Sequence, residues 1–128
     1  MIMDQVKRIS LMLKSLRSGI SPQKRNVPIE QLARNAERTG DERAAVGKSW
    51  KEYWQIFTQM DYPETCPFCG QPLAENDIEG CHIEIADGLL GRWSTKKYII
   101  PGHHDCNMHL GEEFTSKLTI PAVEARER

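Results

Sequence analysis

Two short motifs hold the residues of this sequence whose types and spacing are best suited to bind a metal ion. Cys66-x-x-Cys69 places two thiols across a turn, and His103-x-x-Cys106 repeats the same spacing further along the chain. Zinc accepts thiolate and imidazole ligands in a tetrahedral arrangement. The four residues therefore predict one closed, structural zinc site. A redox role for the cysteine pair fits less well, because the pair lacks the strand-to-helix setting of thiol oxidoreductases.

The sequence leaves the histidine ligand open. His103 matches the cysteine spacing, but His104 is its neighbour, and His109 lies three residues after Cys106 on one face of an expected helix. We expect Cys81 to be a free thiol or a core residue, because the two spaced pairs already fill a tetrahedral site.

The composition supports a small domain that gains from a metal. Of the 128 residues, 39% are hydrophobic, so a core can form with little apolar surplus. No apolar run is as long as a membrane span. Asp4, Lys7 and Arg8 interrupt the first apolar stretch, which is untypical of a secretory signal. We therefore expect a cytoplasmic protein without membrane contact, whose four cysteines serve metal or thiol chemistry rather than disulfides.

The N-terminal segment has a helical apolar pattern. Large apolar residues recur there at steps of three and four: Ile2, Val6, Ile9, Leu13, Leu16 and Ile20. This spacing predicts a helix over residues 2–18 that ends at Gly19. We expect the stripe to pack against the rest of the protein, including Trp50 and Trp54, or against its copy in a homodimer.

Two more helices are expected before the cysteine motifs. One covers residues 28–39, with Pro28 at its first position, and the other covers residues 42–60, with Asp41 as its cap. Helical periodicity stops near residue 62. The second half is expected to hold a strand within 78–85, a strand within 93–101, a short helix over 105–114 and a last strand over 115–121.

These elements suggest three parts. Residues 1–61 form a helical region, residues 62–121 a zinc-binding module, and residues 122–128 a frayed tail. Charge follows the same division: residues 1–60 carry 11 Lys and Arg against 6 Asp and Glu, whereas the remainder carries 6 against 12. A basic first half indicates a nucleic-acid or acidic-partner surface, or a solvated helix face.

Four short motifs follow one another in the second half. They are Cys66-x-x-Cys69, Cys81-His82-Ile83, Tyr98-Ile99-Ile100-Pro101 and His103-x-x-Cys106-Asn107. In this order, over roughly residues 62–115, they resemble the HNH, or ββα-metal, endonucleases that carry a structural zinc. They also resemble treble-clef zinc domains of small phage and bacterial proteins. The resemblance implies an α+β fold, with N-terminal helices followed by a zinc-stapled ββα module.

The same resemblance implies a metal-dependent endonuclease that hydrolyses phosphodiester bonds of DNA. His82 matches the general base of the family, and Asn107 matches a ligand of a catalytic Mg²⁺ or another divalent ion. Cys81 stands where the family often has Asp, and Thr95-Lys96-Lys97 stands where a loop Asn is usual. These departures favour the alternative of a catalytically inactive zinc-binding module. Such a module would bind a protein or nucleic-acid partner through the basic, apolar-striped first helix, as expected of a phage or bacterial defence or counter-defence protein.

Overall fold

A computed structural model describes residues 2–37, 39–88 and 91–128. The helices are α1 (Gln5–Ser18), α2 (Trp50–Thr58) and α3 (His104–Asn107), with a 3₁₀ turn at Glu75–Asp77. The strands are β1 (Lys24–Val27), β2 (Leu32–Asn35), β3 (Ile78–Asp87), β4 (Arg92–Trp93), β5 (Tyr98–His103), β6 (Glu113–Thr115) and β7 (Ile120–Glu124). None of the helices in this described part is long and apolar enough to cross a membrane.

One antiparallel sheet takes strands from the whole length of the chain. Its order is β1-β7-β5-β3-β2-β6, and the short β4 pairs separately with β3. The expectation of mixed helix and sheet is confirmed. The expected arrangement of helices followed by a separate ββα module is not seen, because β1 and β2 lie in the same curled sheet as the strands of the second half. The division at residues 61 and 62 itself stays a prediction.

The prediction of a helix over residues 28–39 is wrong. Residues Leu32–Asn35 form β2, which pairs with β3 on one side and β6 on the other. Of the residues expected on the inner face of that helix, Ile29 and Leu32 are exposed, whereas Ala33 and Ala36 are buried. Burial instead alternates along the strand, with Ala33 and Asn35 turned inward. Pairing with two neighbouring strands therefore decides the structure here over local helical spacing.

Only the second half of the segment expected to be helical, residues 42–60, forms a helix. Gly47 has a φ of 88°, which interrupts any helix at that point. The hydroxyl of Ser49 then accepts a hydrogen bond from the backbone N–H of Glu52, and the Glu52 carboxylate accepts one from the N–H of Lys48. This Ser-x-x-Glu pair caps α2 at its start.

Helix α2 supplies three of the six buried aromatic side chains in the described residues. Trp54 and Tyr53 are fully buried, and their polar atoms donate to the carbonyl oxygens of Pro121 and Glu124 on β7. The helix begins directly over β3, where a Cβ on Gly80 would lie 2.4 Å from the backbone carbon of Trp50. A glycine at residue 80 therefore allows the helix and the sheet to approach this closely.

Helix α1 has nearly the expected bounds, and Gly19 ends it in the left-handed conformation with a φ of 74°. Its packing is different from the expectation. Leu11 is the residue of this helix that is buried, whereas Val6 and Leu16 are largely exposed. Five of the six stripe residues are therefore exposed, and Ile20 at the end of the stripe packs against the core.

The C-terminal elements are shorter than the spacing suggested. The helix expected over residues 105–114 is limited to α3 (His104–Asn107), and Glu113–Thr115 form the edge strand β6. The last strand lies at Ile120–Glu124 instead of 115–121. Residues 122–124, which the sequence assigned to a frayed tail, are thus part of β7, and Ala122 and Val123 are fully buried.

Candidate metal centre

Four side chains from two separate segments converge at one end of β5. Cys66, Cys69, His103 and Cys106 offer four ligand atoms that all lie within 4.8 Å of one another. Sγ of Cys66 is 3.9 Å from Sγ of Cys106, and Sγ of Cys69 is 3.2 Å from Nδ1 of His103. A tetrahedral zinc ion with Zn–S bonds of about 2.3 Å separates its sulfur ligands by about 3.8 Å. The donor set and spacing thus fit a structural zinc-binding group.

A tight turn positions the first pair of thiols. The N–H of Gly70 donates to the carbonyl oxygen of Cys66, and the N–H of Cys66 donates to that of Gln71, both at 2.9 Å. Gly70 has a φ of 77°, which a residue with a Cβ adopts only with strain. The second pair sits where β5 runs directly into α3, so His103 ends the strand and Cys106 lies in the helix.

The geometry selects one histidine among the three that the sequence left open. Nε2 of His103 lies 2.9 Å from the carbonyl oxygen of Pro72, which can only accept, so this nitrogen carries the proton. Nδ1 is then the atom with a free lone pair, and it faces the thiols. His104 and His109 lie outside the cluster, because they contact the carboxylates of Glu79 and Glu112.

A bound cation would offset the cost of burying charged thiolates at this site. Burial raises the pKa of Cys106 to about 12, and the neighbouring Cys66 adds to this effect. Burial also opposes charge on Cys69, but the backbone N–H of Gln71 and the ring of His103 outweigh it and lower the pKa of that thiol. One thiol is therefore readily ionised and another is not, and a divalent cation would allow all of them to bind as thiolates.

Asn35 supports this centre from the opposite half of the sequence. Its side-chain amide donates to the carbonyl oxygens of Cys106, at 2.8 Å, and of His109, at 3.0 Å. Its backbone N–H donates to Glu112, and its carbonyl accepts from Gly111. Four hydrogen bonds thus tie β2 to the segment that follows the second ligand pair. Sequence reasoning missed this residue, since no local pattern links it to a motif 71 residues away.

Cys81 lies beside the cluster without belonging to it. The thiol is fully buried on β3, and burial raises its pKa well above the ordinary value. Its Sγ is 3.5 Å from the carbonyl oxygen of Glu79, and it is not among the four converging ligands. The structure therefore places Cys81 in the core, as the filled tetrahedral set implied.

His82 and Asn107 both line a cleft of about 750 Å³ next to the metal centre. The ring of His82 packs edge-on against Trp50, and its Nε2 lies 3.1 Å from Oε2 of Glu42, out of line for a hydrogen bond. Burial, with a smaller contribution from Lys97, lowers the pKa of His82 to about 4, so the ring is neutral at pH 7. The amide of Asn107 donates to Glu79 at 2.8 Å.

Ion pairs between the two halves of the sequence offset part of their charge difference. Arg25 pairs with Asp87, and Arg34 lies 3.1 Å from Glu84. On α1, Arg8 pairs with Asp61. Three basic residues of the first half thus pair with acidic residues of the second half, which offsets part of the charge asymmetry that suggested a nucleic-acid surface.

The known proteins that are similar in sequence to this chain share one name. Proteins named DNA gyrase inhibitor YacG from two strains of Methylorubrum extorquens are each 38% identical to this chain over 52 residues. The matched segment is 40% of this chain and 72% of each relative. The chain belongs to the YacG family. A YacG protein from Azorhizobium caulinodans is 44% identical over 39 residues, which is 30% of this chain and 57% of that protein. No family model and no solved structure matches.

Membership in the YacG family overturns the expected nuclease activity. The relatives are named as inhibitors of DNA gyrase, and none of these names describes a nuclease. The HNH resemblance therefore identified a zinc-binding group correctly and assigned it the wrong function. A catalytic divalent ion also has no support from these relatives, and the roles given to His82 and Asn107 depended on that activity.

Proposed function

We propose that this protein is a zinc-stapled, non-catalytic binding module whose partner is DNA gyrase. The observation that carries the proposal is the 38% identity that spans 72% of a DNA gyrase inhibitor. In the proposal, Cys66, Cys69, His103 and Cys106 hold one structural Zn²⁺. Four protein ligands fill a tetrahedral ion and leave no position for water or substrate, which is the pattern of structural sites.

In this proposal, the zinc ion joins two segments that are far apart in the sequence. The first segment, the Cys66–Gly70 turn, also places Phe68 in the core, whereas α3 (His104–Asn107) is a single short turn with no buried residue. Binding of one ion to both segments fixes the surface between them, and the free energy of binding becomes free energy of folding. A surface fixed in this way is pre-organised for a partner and avoids an ordering cost on binding.

Two apolar side chains mark a contact surface beside this centre. Met108 and Leu110 follow α3 directly, and they are 65% and 58% exposed. Exposed large apolar groups next to a rigid centre are typical of protein-binding surfaces. In the proposal these two side chains contact gyrase, so replacing them should weaken the complex without disturbing the zinc ligands.

A gyrase titration tests the proposal. The zinc-loaded protein should bind purified DNA gyrase by calorimetry and inhibit supercoiling of relaxed plasmid. A variant carrying Met108→Asp and Leu110→Asp should keep its zinc and lose most of its gyrase affinity. Ile29→Asp is the matched control, because Ile29 is also apolar and exposed, at 55%, but belongs to the turn before β2. Folded, zinc-loaded protein that neither binds gyrase nor inhibits it would contradict the proposal.

A further inference from the structure

A second, smaller cavity, of about 200 Å³, lies beside the metal centre. Its wall takes residues from three parts of the chain: Asn35 on β2, Phe68 in the Cys66–Gly70 turn, and the segment from α3 to β6. Most small-molecule sites are larger than this, at about 300–1,000 Å³. The cavity is therefore of a size for one side chain rather than for a whole cofactor or nucleotide.

The rim of this cavity is acidic. Asp105, Glu112 and Glu113 contribute exposed carboxylates, and no Lys or Arg lines the cavity among the residues that the structure describes. Glu112 contacts His109, but Asp105 and Glu113 form no ion pair with any described residue. A zinc ion held by three thiolates and a neutral imidazole carries a net negative charge, so it would not offset these carboxylates. The cavity therefore favours a positively charged group.

Two aromatic rings form the apolar part of the wall. The ring centroids of Phe68 and Phe114 lie 4.2 Å apart, and Phe114 is only partly buried. An aromatic face attracts a cation. A guanidinium group also stacks on such a face while its N–H groups remain free to donate, whereas an ammonium is a compact and strongly hydrated charge. The rings therefore favour arginine over lysine.

The wall also contains a hydrogen-bond acceptor without a donor. Both N–H groups of the Asn35 amide are engaged, with the carbonyl oxygens of Cys106 and His109. Its Oδ1 is buried and has no hydrogen-bond partner among the described residues. Leaving a buried acceptor unsatisfied is costly. A donor that enters the cavity beside Asn35 would remove this cost.

We propose that this cavity binds a guanidinium group, at the end of an arginine side chain of a protein partner. The planar group carries five N–H donors, which are enough for the carboxylates at the rim and for the oxygen of Asn35. A protein source is favoured because His109 of the wall lies between the exposed Met108 and Leu110 in the sequence. A protein that covers those two side chains is also within reach of the cavity. The binding of guanidinium does not depend on which protein this is, whereas assigning the arginine to gyrase rests on the proposed function.

Nuclear magnetic resonance titration of the isotope-labelled, zinc-loaded chain with n-butylguanidinium tests the site without a partner protein. Backbone amide signals of the segments that line the cavity should shift, and binding should be tighter than for n-butylammonium. Neutral n-butylurea has nearly the same shape as n-butylguanidinium and should bind at least several-fold more weakly.

A pair of double variants tests the role of the rim. Asp105→Asn with Glu113→Gln should keep its zinc and bind n-butylguanidinium at least several-fold more weakly than the wild type. Glu64→Gln with Glu75→Gln is the matched control, because it removes the same number of exposed carboxylates and neither residue lines the cavity. This control should bind n-butylguanidinium as the wild type does.

Equal binding of n-butylguanidinium and n-butylurea would overturn the proposal, and so would equal binding by the two double variants. Binding of n-butylammonium as tight as that of n-butylguanidinium would overturn the choice of arginine. A gyrase titration then tests the source. The Asp105→Asn, Glu113→Gln variant should bind gyrase at least several-fold more weakly than the control variant does. If it binds gyrase equally well, the arginine does not come from gyrase, and the proposed function stands. If the wild type does not bind gyrase, the proposed function fails, and the titration with n-butylguanidinium still decides whether the site exists.

Discussion

The side-chain amide of Asn35 donates a hydrogen bond of 2.8 Å to the carbonyl oxygen of Cys106, and so joins β2 to the proposed zinc ligands across 71 residues of chain. The same amide donates to His109 at 3.0 Å. Turning the amide over would set its oxygen against two carbonyl oxygens, so the hydrogen bonds fix its orientation. Asn35 is 3% exposed, which makes these bonds difficult for water to replace.

Substitution of Asn35 should therefore loosen the metal centre. Asn35→Ala removes two part-buried hydrogen bonds, at a cost of about 0.5–1.5 kcal/mol each in the free energy of unfolding. Zinc transfer to a chelator, followed by absorbance, should be faster than in the wild type because α3 is less well held. Asn26→Ala, on the exposed part of β1, is the control and should change neither quantity. Equal transfer rates in all three proteins would show that Asn35 has no supporting role.

The contact between Gly80 and α2 gives a test of packing. A Cβ at residue 80 would lie 2.4 Å from a backbone carbon and 2.6 Å from Cβ of Trp50, and neither atom is the end of a flexible side chain. Gly80→Ala should therefore push α2 away from β3 and destabilise the protein by about 1–3 kcal/mol in urea unfolding.

Gly40→Ala is the matched control for this substitution. Nothing lies within 4 Å of a Cβ built on Gly40, and its φ is not in the left-handed region. It should leave stability unchanged or raise it slightly, by about 0.4–1 kcal/mol, through the unfolded state. Similar effects of the two substitutions would mean that the close approach at Gly80 is not a constraint.

The buried ring of His82 should make stability depend on pH. Its pKa is lowered from 6.5 to about 4 in the folded protein, so below pH 6.5 the unfolded chain binds the proton that the folded chain does not. This contribution is complete above pH 6.5 and is lost as the pH falls towards 4. The full loss amounts to about 3 kcal/mol. Glu42, whose pKa is raised by burial, offsets part of it.

Urea unfolding of wild type and His82→Gln at several pH values between neutral and the lowered pKa isolates this contribution. Both proteins share the zinc ligands, so acid-induced loss of metal affects both and cancels in the difference. The stability of the wild type relative to the variant should decrease as the pH falls through this window. A difference that is constant with pH would show that His82 titrates normally and is not buried as a neutral ring.

Substitution of a zinc-ligand cysteine and substitution of Cys81 should have different effects on zinc binding and stability. Cys66→Ser or Cys106→Ser should abolish zinc binding and unfold the segments that it joins, because structural zinc supplies on the order of 10 kcal/mol of apparent binding energy. Cys81→Ala should keep one zinc per chain and lower the melting temperature only modestly, since it removes one buried sulfur atom. Elemental analysis and circular dichroism measure both outcomes. Zinc loss from Cys81→Ala alone would contradict the ligand assignment.

Local spacing predicted the candidate metal ligands of this protein better than its fold or its function. The two motifs with matching gaps indicated four ligands, and the structure brings those four together. The strand β2 was not predictable in the same way, because its inward residues are a small one, Ala33, and a polar one, Asn35. Its structure depends on pairing with β3 and β6, which no local pattern encodes.

Other errors had a signal that the sequence did contain. Ser49 and Glu52 form the capping pattern that begins α2, and this pattern places the helix start well after the expected position at residue 42. The choice of His103 over its neighbours, in contrast, depends on the carbonyl oxygen of Pro72 and on contacts of His104 and His109 with distant carboxylates. Such contacts exist only in the folded chain.

X-ray absorption spectroscopy at the zinc edge of the purified protein measures the ligands of the proposed site directly. We expect one zinc per chain with three sulfur ligands at about 2.3 Å and one nitrogen ligand at about 2.0–2.1 Å. The nitrogen contribution should disappear from His103→Ala and remain in His104→Ala and His109→Ala. Folded protein without zinc, or a site with four sulfur ligands that includes Cys81, would contradict the proposed zinc site.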